Sequence, residues 1–338
     1  MIVEMRKLAA SDEINDVVLR AKSLGFSVQL NVGTDKTVIA ILGSNTGQLS
    51  TDMFAVLPGV ENVTRIMKPY KLASREFKPE NTVVKIGKVE IGTPKIAIMA
   101  GPCAVESKKQ LEEAAKSVIK AGASILRGGA YKPRTSPFSF QGLEKVGLEL
   151  LSEIIKKYNI PVVTEVVDPH AIELVAQYAD ILQVGTRNMQ NFSLLTELGQ
   201  IKHPVILKRG LANTVTEWLT AADYLLAGGN NNVILCERGI RTFEDSTRFS
   251  MDISSIAVVK KFSHLPIIVD PSHAAGHYSY VPAIARAAIA AGADGLLIEV
   301  HPNPKEALVD GLQSLTPSDF KRLMGELKAI AEALGRSL

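Results

Sequence analysis

The chain has 338 residues, 46% of them hydrophobic and 22% charged, with a formal net charge of +3. That balance argues against a disordered chain, leaves apolar material for one large domain and one small one, and gives no general pull towards nucleic acid or an anionic membrane. The opening Met1-Ile2-Val3-Glu4-Met5-Arg6-Lys7 is too short and too soon acidic for a secretory signal. No later run approaches the ~20 apolar residues of a membrane span, so a cytoplasmic protein is expected.

In chain order, residues 1–70 read as a ferredoxin-like βαββαβ unit. Its strands are Ile2–Met5, Ser27–Val32, Thr37–Leu42 and a stretch near Val60–Met67; its helices run from Ser11 to Leu24 and near Leu49–Val56. Ser11 is the expected helix cap, Ile14, Val17, Val18 and Ala21 share one face, and Gly25 ends the helix. The unit has no His and no Cys, so a regulatory or assembly role is expected of it rather than a catalytic one. Residues 71–81, polar and bounded by Pro69 and Pro79, read as a linker to a second domain over residues 82–338.

That second domain opens with a hairpin about Gly87-Lys88 and then repeats short apolar strands followed by amphipathic helices. Eight such strands are expected: Ile96–Ala100, Ser124–Arg127, Val162–Glu165, Ile181–Val184, Val205–Lys208, Val233–Cys236, Ile267–Val269 and Gly295–Glu299. Continuous Val/Ile/Leu runs suit parallel strands buried on both faces, and the length suits a closed (β/α)8 TIM barrel. An open doubly wound sheet is the competitor, but no Gly-rich dinucleotide fingerprint follows the first strand.

Chemistry in such a barrel sits where the strands end, at their C-terminal face. Those ends present Cys103, Arg127, Glu165, Arg187, Lys208, Glu237 with Arg238, His273 and Glu299. One Arg or Lys there is an ordinary solvated charge, whereas several converging on one rim call for an anion, because unpaired buried charge is costly. The loop Tyr131-Lys132-Pro133-Arg134-Thr135-Ser136, stiffened by proline, adds Lys132, Arg134 and Thr135, a set suited to phosphate and carboxylate groups. Glu165 reads as a charge partner or a group that orients water.

Cys103, His273, Glu299 and Asp310 form a second constellation. Barrel closure sets strand 8 beside strand 1, so these distant residues meet on one side of the mouth. A thiolate, an imidazole and two carboxylates suit one divalent ion of borderline softness, Mn, Fe, Co or Zn, more than Mg or Ca. His277 lies four residues from His273, but Pro271 and Gly276 argue for loop, where that spacing has no special meaning; His301 reads as at most a supporting group. Cys236 reads as a buried small hydrophobe.

Read together, Gly101-Pro102-Cys103-Ala104-Val105-Glu106, Leu126-Arg127-Gly128-Gly129-Ala130-Tyr131-Lys132-Pro133-Arg134-Thr135-Ser136, Gly185-Thr186-Arg187-Asn188, Leu207-Lys208-Arg209-Gly210, Cys236-Glu237-Arg238-Gly239, Asp270-Pro271-Ser272-His273 and Ile298-Glu299-Val300-His301-Pro302 resemble the motifs of 3-deoxy-D-arabino-heptulosonate 7-phosphate (DAHP) synthases. The resemblance is to the subgroup with an N-terminal ferredoxin-like domain. It implies metal-dependent condensation of phosphoenolpyruvate with erythrose 4-phosphate at the head of the shikimate route. A separate folded unit without catalytic groups leads to the expectation that residues 1–70 carry feedback control by an aromatic amino acid, and a closed symmetric homo-oligomer is expected, a tetramer being favoured. On this resemblance Arg127, Lys132, Arg187, Lys208 and Arg238 hold phosphoenolpyruvate, Arg134 and Thr135 grip the aldose phosphate, and Lys132, His273 and Cys103 are the catalytic group.

The nearest alternative is 3-deoxy-D-manno-octulosonate 8-phosphate synthase, which the Lys132-Pro133-Arg134-Thr135-Ser136 loop and Cys103 disfavour. A Schiff-base aldolase using Lys208 and a non-catalytic phosphometabolite sensor are the remaining competitors.

Overall fold

The computed structural model describes residues 1–33, 36–43, 46, 49–65, 68–134 and 136–338. The chain divides into two compact units, Met1–Asn81 with Phe262–His264, and Thr82–Lys261 with Leu265–Leu338.

The first unit comprises β1 (Ile2–Met5), α1 (Ser11–Ser23), β2 (Ser27–Val32), β3 (Thr37–Leu42), α2 (Asp52–Ala55) and β4 (Val60–Thr64). Its sheet runs β2-β3-β1-β4, with β1 antiparallel to both β3 and β4, which is the ferredoxin-like order. Val3, Met5, Ile39 and Ile41 from the strands bury against Val17 and Ala21 of α1 and Phe54 of α2. The cap of α1 is Ala10, one residue before the expected Ser11, which lies inside the helix. Ala10 has no side-chain acceptor; instead its backbone N–H donates to the Glu13 carboxylate at 2.8 Å, so the residue three positions into the helix satisfies the terminus from the other side. Strand β4 ends at Thr64, and residues 66 and 67 of its expected span lie outside the described residues. The stretch 71–81 packs within this unit: Leu72, Ala73, Ser74 and Phe77 are buried, and Leu72 O bonds His264 Nε2 at 2.7 Å.

The second unit starts with the antiparallel hairpin β5 (Val84–Ile86) and β6 (Val89–Ile91). Eight parallel strands follow with their helices: β7 (Ala97–Gly101), α3 (Lys108–Lys120), β8 (Ile125–Arg127), α4 (Glu144–Tyr158), β9 (Val162–Val166), α5 (Ile172–Ala176), β10 (Ile181–Val184), α6 (Phe192–Gly199), β11 (Val205–Lys208), α7 (Val215–Ala227), β12 (Val233–Glu237), α8 (Ser254–Phe262), β13 (Ile267–Val269), α9 (Pro271–Ala275), α10 (Val281–Ala290), β14 (Gly295–Glu299) and α11 (Pro317–Ala333). They close into a barrel, with β14 against β7 and Glu299 opposite Gly101. This is a TIM barrel, and its strands fall within a residue or so of the expected ones.

Inside the barrel, Met99, Ile125, Val163, Ile181, Ile206, Ile234, Ile268 and Leu297 form one buried cluster that also takes in Val84, Ile86 and Ile91 of the hairpin. Each such side chain, fully buried, is worth roughly 1.5–3 kcal/mol relative to exposure. Cys236 belongs to this apolar cluster, in keeping with its reading as a small hydrophobe. The helices are fixed in register by their own ends; Thr214 and Glu217 cap α7 reciprocally, and Trp218 donates from that helix to Leu207 O of β11 at 3.1 Å.

Candidate active site

The strand ends are tied together by short contacts that begin at a glycine. Gly101 ends β7 at φ +153°, and a Cβ there would lie 2.1 Å from Arg127 O, so only glycine lets the ends of β7 and β8 come this close. Arg127 then donates to Pro102 O at 2.8 Å and to Glu299 Oε1 at 3.1 Å, fixing the segment that carries Cys103 beside the end of β14.

Cys103, His273, Glu299 and Asp310 each offer one ligand atom, and these four atoms lie within 4.8 Å of one another. Cys103 Sγ is 3.4 Å from Asp310 Oδ2, and His273 Nε2 is 3.6 Å from Glu299 Oε1 and 4.0 Å from Asp310 Oδ2. His273 sits on α9, whose cap is Asp270: its carboxylate accepts from the His273 backbone at 3.0 Å. The expected loop at 271–277 is therefore a short helix in its first part, because Pro271 occupies the first helical position and needs no N–H partner there. Gly276 then ends it at φ +70°, and His277 turns aside to bond Ser279 Oγ at 2.7 Å and stack on Tyr278. His301 lies outside the cluster too, 3.3 Å from the Glu106 carboxylate.

The electrostatics suit a cation at this point. Burial pushes the Cys103 thiol up to about 12, Glu299 adding to the effect, so a nearby cation is needed to hold it as thiolate. Burial lowers His273 and so favours the neutral, metal-binding form of its imidazole over the protonated one. Burial also works to raise Glu299 and Asp310, but in the acid range where these carboxyls titrate the protonated His273, with Arg127 for Glu299 and Arg248 for Asp310, outweighs it and holds both below their usual range. Behind His273, Nδ1 lies 2.7 Å from Asp270 Oδ2 without the alignment of a hydrogen bond. Asp310 adopts φ +52°, the left-handed conformation that Asp tolerates better than most residues with a Cβ. Donor types, spacing and charge all fit a divalent ion.

Next to these four residues opens a cavity of about 270 Å³ whose wall includes Arg127, Lys132, Arg134, Glu165, Arg187, Lys208, Arg238 and Arg248. Lys132 Nζ donates to Cys103 O at 3.1 Å and Cys103 Sγ at 3.2 Å, joining the cavity to the ligand cluster. Lys208 is buried in a 2.5 Å ion pair with Asp270, which ties up the ammonium a Schiff-base aldolase would need free. Arg238 is 5% exposed and its guanidinium lies 4.0 Å over the Phe249 ring, yet its Nε has no partner; burial pushes it down to about 10. Nη1 reaches Gly239 O at 3.5 Å, and a buried guanidinium left with an unpartnered N–H is the mark of an anion site. Glu165 accepts from Gln183 at 3.3 Å and presses on Gly185, where a Cβ would meet its carboxylate at 2.0 Å. Arg187 is exposed and reaches Pro133 O at 3.4 Å. Thr135 lies outside the described residues.

Glu237, at the end of β12, faces away from the cavity and pairs with Arg209 at 2.9 Å. Two groups in the site escape the strand-end rule: Arg248 comes from the middle of the long loop after β12 and Gln313 from the loop after β14, and no local spacing marks either. Asp270 obeys the rule, directly following β13, where His273 is the expected functional group instead.

Fold and site together define a TIM-barrel enzyme that handles anionic substrates beside a cluster of potential metal ligands. A family profile described as the DAHP synthetase I family matches residues 76–334, and one described as the DAHP synthase ferredoxin-like domain matches residues 1–68. A phospho-2-dehydro-3-deoxyheptonate aldolase of Thermotoga maritima is 49% identical over 335 residues, covering 99% of both chains. A crystal structure of such an aldolase (DAHP synthase) from the same organism superposes with a TM-score of 0.80, covering 99% of this chain and 98% of that one. A 2-dehydro-3-deoxyphosphooctonate aldolase of Francisella tularensis is 30% identical over 266 residues, covering 73% of this chain and 96% of its own. The chain belongs to the DAHP synthetase I family and carries that family's ferredoxin-like domain at its N-terminus.

Proposed function

We propose that the chain joins phosphoenolpyruvate to D-erythrose 4-phosphate, giving DAHP and inorganic phosphate, with one divalent ion held by Cys103, His273, Glu299 and Asp310. The observation that carries this reading is the placement of that cluster against a cationic cavity in which buried Arg238 keeps an unpaired Nε. Identity of 49% to the Thermotoga enzyme along nearly the whole chain supports the four-carbon sugar, since the octulosonate relative is matched at 30% over 73% of the chain.

The ion, when bound, supplies Lewis-acid polarisation of the aldehyde oxygen. The protein supplies position. Arg127, Lys132, Arg187, Lys208 and Arg238 hold the phosphate and carboxylate of phosphoenolpyruvate, and Arg134 with Thr135 holds the aldose phosphate. Fixing both reactants is worth up to roughly 7–11 kcal/mol of the barrier. C3 of phosphoenolpyruvate attacks the aldehyde carbon, and the aldehyde oxygen takes a proton that Lys132, beside Cys103, is placed to give. Water oriented by Glu165 adds to the cationic C2 and gives one proton to the Glu165 carboxylate. The C2–O bond to phosphate then breaks, its electron pair leaving on the phosphate oxygen, while the remaining C2 hydroxyl passes its proton to the departing phosphate and becomes the ketone carbonyl.

A thiolate-containing ligand set favours Mn, Fe, Co or Zn over Mg. Residues 1–70 carry feedback control by an aromatic amino acid, and deleting them should abolish inhibition by Tyr and Phe; retained sensitivity would refute that role. A cytoplasmic homo-oligomer, most readily a tetramer, completes the reading; among the described residues no helix is long and apolar enough to cross a membrane.

Phosphate release from phosphoenolpyruvate with erythrose 4-phosphate or arabinose 5-phosphate, before and after EDTA and Mn²⁺, tests the proposal. Turnover with the four-carbon sugar that stops on chelation and returns with Mn²⁺ is expected. Preference for arabinose 5-phosphate would assign the octulosonate activity, and indifference to EDTA would refute the metal site.

A further inference from the structure

Gln313 has no part in the chemistry above, yet its side-chain amide is built into the ligand cluster. It is 2% exposed, on the loop after β14 that also carries Asp310. Its Nε2 donates to Glu299 Oε2 at 2.7 Å, and its Oε1 accepts from Arg248 Nη1 at 2.7 Å. The same Arg248 nitrogen lies 3.4 Å from Asp310 Oδ1. Asp310 thus turns Oδ2 towards Cys103 and Glu299 turns Oε1, which also accepts from Arg127, towards His273, while the second oxygen of each is held by Arg248 or Gln313.

Only an amide meets both demands at this position. A carboxylate would stand 2.7 Å from Glu299 with like charge, and an apolar side chain would leave Glu299 Oε2 without its donor. Partners behind a metal ligand set its orientation and its affinity for the ion. Arg248, at the other end of the amide, lines the substrate cavity beside Arg238 and Phe249.

The geometry points to Gln313 as a positioning residue that orients the Glu299 carboxylate for the metal and couples it, through Arg248, to anion binding in the cavity. The inference rests on the metal reading proposed above. Coupling of this kind is reciprocal: an anion engaging Arg248 changes the affinity for the ion, and the ion changes the affinity for the anion by the same factor.

Titration of the purified full-length protein with Mn²⁺, followed by the electron paramagnetic resonance of the free ion with and without inorganic phosphate, tests it independently of turnover. Q313M should weaken Mn²⁺ binding roughly 10- to 100-fold and abolish the change in affinity that phosphate produces in the unsubstituted protein. R248M should weaken binding less, and adding it to Q313M should weaken it by less than R248M does alone, the remainder being its direct contact with Asp310. Should Q313M fail to fold, R248M alone decides, through loss of the phosphate effect. Mn²⁺ affinity within about twofold of the unsubstituted protein in Q313M, or effects of the two substitutions that simply add, would overturn the inference while leaving the metal site standing. Absence of Mn²⁺ binding in the unsubstituted protein would remove the metal reading and this inference together.

Discussion

The two ends of the barrel are made from the same eight strands and are opposite in character. At the strand starts, Val84, Ile86 and Ile91 of the hairpin continue the apolar interior formed by Met99, Ile206 and their neighbours. At the strand ends, Arg127, Lys208, Glu299 and Asp270 are all buried, each placed by a specific partner from a different strand or loop. The apolar end stabilises the fold by burial alone. The charged end costs desolvation and repays it only where every charge finds its partner, so it is the end where a missing ligand shows as an orphaned group such as Arg238 Nε.

The largest separation of the two ends should come from Cys103→Ala. Turnover should fall by about 10³-fold or more as the ligand set is broken, while the unfolding temperature of the metal-free protein shifts by only a few degrees; comparable turnover would undo the distinction. Arg238→Met should follow, lowering kcat/KM for phosphoenolpyruvate by roughly 10²-fold, in line with the 2–5 kcal/mol attached to a buried charge pair. Thermal unfolding without ligand should be unchanged or later for this variant, because an underpaired buried cation has been replaced by an apolar chain; marked destabilisation would show that the guanidinium serves the fold. Ile91→Ala gives the converse at the other end. Denaturant unfolding should report a loss of about 2–5 kcal/mol, with KM for both substrates held.

Acid should loosen the charged end in a defined window. Asp270 is held well below its ordinary 3.8 because His273 and Lys208 outweigh the opposing effect of burial, and Glu299 and Asp310 are lowered too. A carboxylate lowered in the folded state contributes stability that is complete above its unfolded value and lost as pH falls through the folded one. His273, lowered by burial from 6.5, adds a loss that starts as pH drops below that value. Stability of the metal-free protein should therefore decline gently below about pH 6.5 and steeply below about pH 4. Asp270→Asn should start lower and show a shallower acid slope; an unchanged slope would mean that other carboxylates govern acid unfolding.

Much of this difference was legible in the order of residues. Parallel strands buried on both faces give apolar runs, and the first polar residue after each run marks the rim, which is how Cys103, Arg127 and Lys208 stood out; His273 lies three residues beyond Asp270, the residue that rule picks on β13. Closure of strand 8 on strand 1 then brought Glu299 and Cys103 together across the barrel seam. Less legible were groups whose role depends on a partner distant in sequence. Asp270 answers to Lys208 on β11, and Gln313 answers at once to Glu299 and Arg248. Local patterning also misplaced the cap of α1, where Glu13 reaches back to Ala10 and makes a capping side chain unnecessary. Pro271 and Gly276 already set His277 apart from His273 in the sequence, and His277 turns to Ser279 while His301 turns to Glu106.

The most direct test of a metal centre at the charged end is the absorption spectrum of the protein loaded with one equivalent of Co²⁺, for Cys103→Ser beside the unsubstituted chain. A thiolate-to-cobalt charge-transfer band in the near ultraviolet that disappears in C103S is the predicted result. An identical band in both proteins, or stoichiometric Co²⁺ binding without such a band in the unsubstituted chain, would contradict Cys103 as a ligand and with it the four-residue site.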